Sequence, residues 1–355
     1  MLSNEILISI AALLTSFAIT YLAIPKIIHF SNQSRLFASV GDRHSHKGEV
    51  PIFGGIAIFA GILFSLLFWA DLEYLQFALV SLVIVFIIGV IDDLLSLSPL
   101  RKLVGQIISI LIIIYLGELS ISDMKGIFGI TVVPEWISVI FTIFVVIVIT
   151  NAINLIDGID GLAGGLGILS SSIFGIIFLL NPDESSQEMA ILSFTLTGAL
   201  FAFLRYNFNP ASIFMGDTGS LLLGLILSIL AIKVINTGVY ITEDIMFVRK
   251  GPFVAIAILS VPLYDTFRVF FMRVFNGKHP LHPDRTHIHH VLLDLGFGHK
   301  KVSLIICFVN LLIIILSFFM LEMSLGLSIF ILSILLFSIM SVPFIILQIK
   351  NRKSE

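Results

Sequence analysis

The sequence predicts an all-α polytopic membrane protein, one domain over residues 1–355, and three observations predict it. Apolar residues make up 58% of the chain against 12% charged, with a mean hydropathy of +1.10, which places it outside the soluble class. Apolar stretches able to span recur about eleven times, at residues 6–29, 51–70, 76–91, 103–117, 136–156, 162–180, 190–204, 220–236, 251–275, 302–320 and 324–347. Of the 20 Lys and Arg residues, all but Lys125, Lys233, Arg249 and Lys250 fall on one side of those spans. An odd number of spans then puts the N-terminus outside and the C-terminus in the cytoplasm.

The first stretch follows Glu5 without a basic leader or a small-residue cleavage site, so it reads as a retained anchor. Loop 31–50 carries Arg43 and Lys47 and runs into Pro51-Ile52-Phe53-Gly54-Gly55 at the second span. The third ends in Asp92-Asp93, and the loop to the fourth holds Arg101 and Lys102. Glu118 to Glu135 and Thr237 to Lys250 are the longest external segments, and alternating apolar runs such as Ile127 to Val133 predict small hairpins. The fifth span is nearly unbroken from Trp136 to Thr150. Asp265 and Arg268, three apart in the ninth, predict a structural intramembrane pair. Cys307 is the only cysteine and lies in the tenth, which excludes a disulfide framework and a cysteine zinc site. No repeat or low-complexity tract appears.

Internal loops hold nearly all the polar residues able to do chemistry. Adjacent Asp92 and Asp93 at a helix end repel unless a cation or proton lies between them, although a solvated capping pair is the plainer account. Asn151, Asn154, Asp157 and Asp160 follow a membrane span directly, where carboxylates are expensive without a cation, water or partner. Their spacing predicts Asp157 and Asp160 on one face of a helical turn, with Gly158 and Gly161 allowing a close approach. Asn207 to Ser220 brings Phe214 and Asp217 to the mouth of another span; Asp217 is equally a candidate N-cap. His287, His289 and His290 beside Arg285 favour anion binding over a metal site, since no HExxH or Cys partner accompanies them. Acids alone would repel a phosphate. Hard Mg²⁺ resolves the conflict, because it binds one or two carboxylates together with phosphate oxygens, and this points to phosphoryl transfer at a membrane surface.

With Pro51 to Gly55, Asp92-Asp93, Asn151 to Leu162, Phe214 to Ser220 and His282 to His290 in that order, the chain resembles the polyprenyl-phosphate N-acetylhexosamine-1-phosphate transferases over nearly its whole length. The likeness is to the branch of the WecA and TagO enzymes, whose sister is the phospho-MurNAc-pentapeptide translocase. The resemblance implies ten or eleven transmembrane helices, a homodimer, and a cytoplasmic cleft that takes a UDP-sugar from water and a lipid phosphate from the bilayer. It implies Mg²⁺ as cofactor, with Mn²⁺ as the alternative, bound by Asp217 with Asn154 nearby. Asp92 and Asp93 match the catalytic pair that orients or deprotonates the lipid phosphate. Lys47, Leu155, Asp160 and Phe214 fall where the family binds uracil, Asn207 and Asp157 line the same cleft, and Arg285, His287, His289 and His290 match the loop that contacts diphosphate and sugar.

The expected function is transfer of N-acetylhexosamine-1-phosphate, GlcNAc-1-phosphate first, from UDP to undecaprenyl phosphate at the bacterial cytoplasmic membrane. UMP is released and an envelope glycan such as O-antigen or teichoic acid is begun. No nucleic acid is expected as a partner. His-Ile-His-His in place of three consecutive histidines favours this branch over the translocase. A transporter or flippase would carry its ionisable groups near the bilayer midplane in repeated halves, and this chain gathers them at one end.

Overall fold

The computed structural model describes residues 2–34, 50–127, 129–239, 250–277 and 286–352. Its helices are α1 (Leu2–Ser34), α2 (Gly54–Trp69), α3 (Leu72–Leu95), α4 (Pro99–Tyr115), α5 (Glu135–Ile156), α6 (Leu162–Leu179), α7 (Glu184–Asn207), α8 (Gly216–Thr237), α9 (Gly251–Ile258), α10 (Ser260–Phe275), α11 (Ile288–Asp294), α12 (His299–Phe318) and α13 (Leu325–Arg352). The predicted hairpin before α5 is present as antiparallel β1 (Asp123–Ile127) and β2 (Ile130–Val132). Most of the second external segment, residues 240–249, lies outside the described residues.

Every stretch expected to span is helical, but they are not equivalent. Among the described residues, eight helices are long and apolar enough to cross a membrane, nine if α9 and α10 form one span. With 16 and 17 residues, α2 and α4 are shorter, rising about 24–26 Å against a hydrocarbon core of about 30 Å.

The stretch 251–275 is the clearest departure from expectation, because α9 and α10 meet at 79°. Pro262 is the cause. Its ring lacks an N–H and clashes with the carbonyl four residues back, that of Ile258. Asn310 of α12 mends the break: its Nδ2 donates to the Ile258 carbonyl at 3.1 Å, and its Oδ1 accepts from Val261 N at 3.2 Å and Ser260 Oγ at 3.0 Å. A helix break inside a membrane bundle persists only where the freed backbone groups are satisfied in this way.

At the centre stands α8, buried without interruption from Thr218 to Ile232. Lipid tails are as apolar as leucine, so close packing of small residues holds such a helix in place. A β-carbon on Gly55 of α2 would lie 2.3 Å from Gly219 N, one on Gly89 of α3 would lie 2.4 Å from Thr218 Cα, and one on Gly224 of α8 would lie 2.6 Å from Thr150 Cα of α5. Buried hydroxyls add specific links: Ser65 of α2 donates to the Ala12 carbonyl of α1 at 2.8 Å, and Ser81 of α3 to the Ser109 carbonyl of α4 at 2.9 Å. The bare-backbone crossings on Gly55 and Gly89 cluster at the α8 N-terminus, so α2 and α3 fix where that end sits.

Gly55→Val therefore forces α2 off α8 and costs on the order of 3 kcal/mol. Thermal unfolding in detergent is expected to show a clear loss for this variant and none for Gly326→Ala, where a β-carbon meets nothing within 4 Å.

Candidate active site

The site is built on the first turn of α8. The strand-like segment before α2 runs beside the segment before α8: Phe214 N donates to the Pro51 carbonyl at 2.7 Å, Gly54 N to the Phe214 carbonyl at 2.9 Å, and Gly55 N to the Met215 carbonyl at 2.9 Å. Gly216 then turns the chain at φ +71°, where a β-carbon would strike the Ile52 carbonyl at 2.3 Å and Asp93 Oδ2 at 2.7 Å. This accounts for Pro51 to Gly55 and Phe214 to Gly216 as one pair of matched motifs.

The helix that follows is capped from another helix. Asp93, in the last turn of α3, accepts Asp217 N at 2.8 Å on Oδ1, and Thr218 N at 3.0 Å and Thr218 Oγ1 at 2.5 Å on Oδ2. Those are the orphan donors that a helix N-terminus normally presents to a local cap, and the negative charge suits the positive end of the helix dipole. Asp217 is thus not the N-cap. Its backbone is held by Asp93 and its carboxylate is free to face other groups.

That carboxylate accepts Asn154 Nδ2 at 2.5 Å on Oδ1 and Lys102 Nζ at 2.9 Å on Oδ2. Asn154 also reaches Ser220 Oγ at 2.8 Å. Lys102, from the first turn of α4, is shared with Asp92, which is 4% exposed and accepts Leu97 N at 2.6 Å. One ammonium thus bridges two carboxylates from α3 and α8. Arg101-Lys102 stood out in the sequence only as part of the basic side; the usable signal was a lysine placed in the first turn of the helix after an Asp pair.

Asp157 and Asp160 do not share a helical face. Asp157 is the residue closing α5, at φ −75° and ψ 39°, and the turn from Asp157 to Gly161 is not helical. The two carboxylates divide in function. Asp160, 3% exposed, accepts Asn209 Nδ2 at 3.1 Å and Ala211 N at 3.2 Å and lies 3.4 Å from His299 Nδ1, while Ser303 of α12 donates to its carbonyl at 2.7 Å. Asn207 is a second latch, its Oδ1 accepting Gly161 N at 2.8 Å and its Nδ2 donating to the Ile213 carbonyl at 2.8 Å. Asp157 is half-buried, and desolvation together with the Asp217, Asp93 and Asp160 carboxylates holds its pKa well above the usual carboxylate range.

Between these groups lies a polar cavity of about 250 Å³ whose lining includes Asp93, Asn154, Asp157, Asp160, Phe214 and Asp217, with Asn207 at its wall. Leu155 is 40% exposed on the last turn of α5 and does not line it. Lys47 and Arg285 lie outside the described residues.

The histidines pack behind that wall, against Gly158. His289 is 1% exposed and packs on Gly158, where a β-carbon would meet its Nε2 at 2.7 Å. Burial first, and then the neighbouring His290, push its pKa down to about 3, so it is a neutral packing residue behind the wall. His287 is also buried, and the His290 ring lies tilted against that of His289 with ring centres 4.2 Å apart. Among the described residues no three His, Cys, Asp or Glu side chains group to hold a metal alone.

The chain is similar to known proteins over most of its length. The model of glycosyl transferase family 4 matches residues 75–235, which run from α3 to the end of α8 and contain Asp92, Asp93, Asn154, Asp157, Asp160, Asn207, Phe214 and Asp217. A decaprenyl-phosphate N-acetylglucosaminephosphotransferase of Mycobacterium leprae is 32% identical over 82% of this chain and 79% of its own length. An undecaprenyl-phosphate alpha-N-acetylglucosaminyl 1-phosphate transferase of Haemophilus influenzae is 34% identical over 76% of this chain and 74% of its own. A probable undecaprenyl-phosphate N-acetylglucosaminyl 1-phosphate transferase of Bacillus subtilis is 30% identical over 95% of this chain and 91% of its own. With motifs, membrane helices and relatives in agreement, the chain belongs to glycosyl transferase family 4, in the branch of the polyprenyl-phosphate N-acetylhexosamine-1-phosphate transferases.

Proposed function

We propose that this protein transfers N-acetylhexosamine-1-phosphate, with GlcNAc-1-phosphate as the favoured group, from its UDP derivative to undecaprenyl phosphate. UMP is released, and the reaction takes place at the cytoplasmic face of a bacterial inner membrane, in a homodimer. The observation that carries the reading is the Asp92–Lys102–Asp217 array at the N-terminus of a buried helix, beside a polar cavity at one end of the bundle. The names of its relatives point the same way.

In this reaction an oxygen of the lipid phosphate attacks the β-phosphorus of the donor, and the bond from that phosphorus to UMP breaks. The sugar C1–O bond is untouched, so the donor's anomeric configuration is kept. The donor set suits a hard divalent ion: Asp217 and Asn154 would hold Mg²⁺, with Mn²⁺ as the alternative. When bound, the ion supplies neutralisation of charge on the diphosphate and on the departing UMP. Asp93 has both oxygens engaged by α8, and we assign it the holding of Asp217. Asp92 shares Lys102 with Asp217, and we assign it the acceptance of a proton from the lipid phosphate. Lys102, released from that pair as substrate enters, is placed to meet phosphate oxygens. Phe214 offers its ring to the uracil.

Detergent-purified protein given undecaprenyl phosphate and UDP-GlcNAc is expected to release UMP, and EDTA is expected to stop it. Asp217→Asn should lower turnover by roughly a thousandfold while the unfolding temperature stays in place. Turnover surviving that change would remove Asp217 from the reaction, and turnover with UDP-MurNAc-pentapeptide alone would move the chain to the translocase branch.

Asp157 gives a second expectation. A carboxyl whose folded pKa lies above its unfolded value of 3.8 binds a proton more tightly when folded, so stability is lost as pH rises from that value through the folded pKa. Asp157→Asn abolishes that loss. The variant should unfold at a higher temperature than wild type at pH 7, with the difference closing as pH is lowered towards 4; an unchanged or lower unfolding temperature at pH 7 would contradict the assignment.

A further inference from the structure

Asp265 lies in α10 and is 1% exposed. An ionised carboxylate there costs several kcal/mol unless its oxygens are fully satisfied. Arg268, one turn on, pairs with Oδ1 at 2.8 Å, which is all that an intramembrane ion pair needs. The remaining contacts lead elsewhere. Oδ2 lies 2.9 Å from His287 Nδ1, and Oδ1 also accepts Ile288 N at 3.1 Å, while Arg268 extends to the Thr286 carbonyl. The first turn of α11 is thus capped from α10, and His287, which precedes it, makes no side-chain cap of its own. With a carboxylate as partner, the His287 proton is assigned to Nδ1, and Nε2 is the ring position left for other contacts.

From His287 the contacts run on to the cavity. Its ring lies 5.7 Å from that of His289 at 10° between planes, and His289 packs on Gly158, which lines the cavity beside Asp157. We propose that Asp265 is a positioning residue: it holds His287 and the first turn of α11, and so seats the histidine stack against the Asp157–Gly158 turn. Its kinetic consequence rests on the transferase reading above; its conformational consequence does not.

The test uses the full chain in detergent and compares wild type, Asp265→Asn, Asp265→Glu, His287→Gln and the Asp265→Asn/His287→Gln double variant. Two readouts are taken, hydrogen–deuterium exchange and UMP release. In Asp265→Asn, exchange over residues 286–294 is expected to rise about 10-fold or more while α3 and α8 keep their protection. Turnover is expected to fall about 10- to 100-fold, as for loss of a buried charged hydrogen bond, with KM for UDP-GlcNAc moving less. Asp265→Glu should restore part of the loss, and in the His287→Gln background Asp265→Asn should add about twofold or less.

Unchanged exchange over 286–294 would overturn the proposal, as would an equal loss of turnover in both backgrounds or a uniform loss of protection in every helix. If Asp265→Asn does not fold, His287→Gln probes the same contact from the other side, and normal exchange over 286–294 in that variant would overturn it. Wild type that releases no UMP from any donor would sink the transferase reading alone, and the exchange result would still decide the positioning role.

Discussion

Asp93 capping α8 across the helix boundary is the contact on which the rest of the site depends. A helix N-terminus buried at the edge of a membrane bundle leaves N–H groups that must find acceptors. Here the acceptor is a carboxylate from α3, reaching both Asp217 N and Thr218 N. That reach requires α3 and α8 to touch at backbone distance, which Gly89 against Thr218 provides, and α2 to close over the same turn, which Gly55 against Gly219 provides. Packing, capping and the orientation of the Asp217 carboxylate are therefore one arrangement.

Around that turn the structure gathers more negative charge than the described residues neutralise. Lys102 serves both Asp92 and Asp217, Asp93 is satisfied by backbone, and Asp157 answers with a raised pKa. Such a cluster costs stability in the resting protein and lowers the cost of bringing in a cation with a diphosphate. At the opposite end of the bundle Lys233 pairs with Asp183 and Gln187 with Glu5, each contact joining helix ends.

Glycines and amides carry much of the architecture that apolar burial cannot specify within lipid. Asn310 repairs the break made by Pro262, and Asn207 ties the α5–α6 turn to the segment before α8. Both side chains are buried, and each satisfies a donor and an acceptor of the backbone, which an amide can supply and an ionised carboxylate cannot. The bend that Pro262 imposes also gives α10 its own direction, and Asp265 on that segment meets the histidines of α11.

The sequence by itself determined the helical membrane architecture, the gathering of acids and histidines at one end, and the pairing of motifs that names the family. Apolar run length and the cost of charge at a span end are local properties and survive reading in one dimension. The break at 251–275 was also written there, in Pro262, but the amide that satisfies its backbone, Asn310, comes from a helix about fifty residues on. Only the tertiary structure decided what each acid does. Asp92 and Asp93 are adjacent in sequence, yet one shares an ammonium and the other caps a helix; Asp157 and Asp160 are three apart and both line the cavity, yet only Asp160 also latches the loop at Asn209 and Ala211. A carboxylate's role is set by the donors that reach it, and here those donors come from helices distant in the chain.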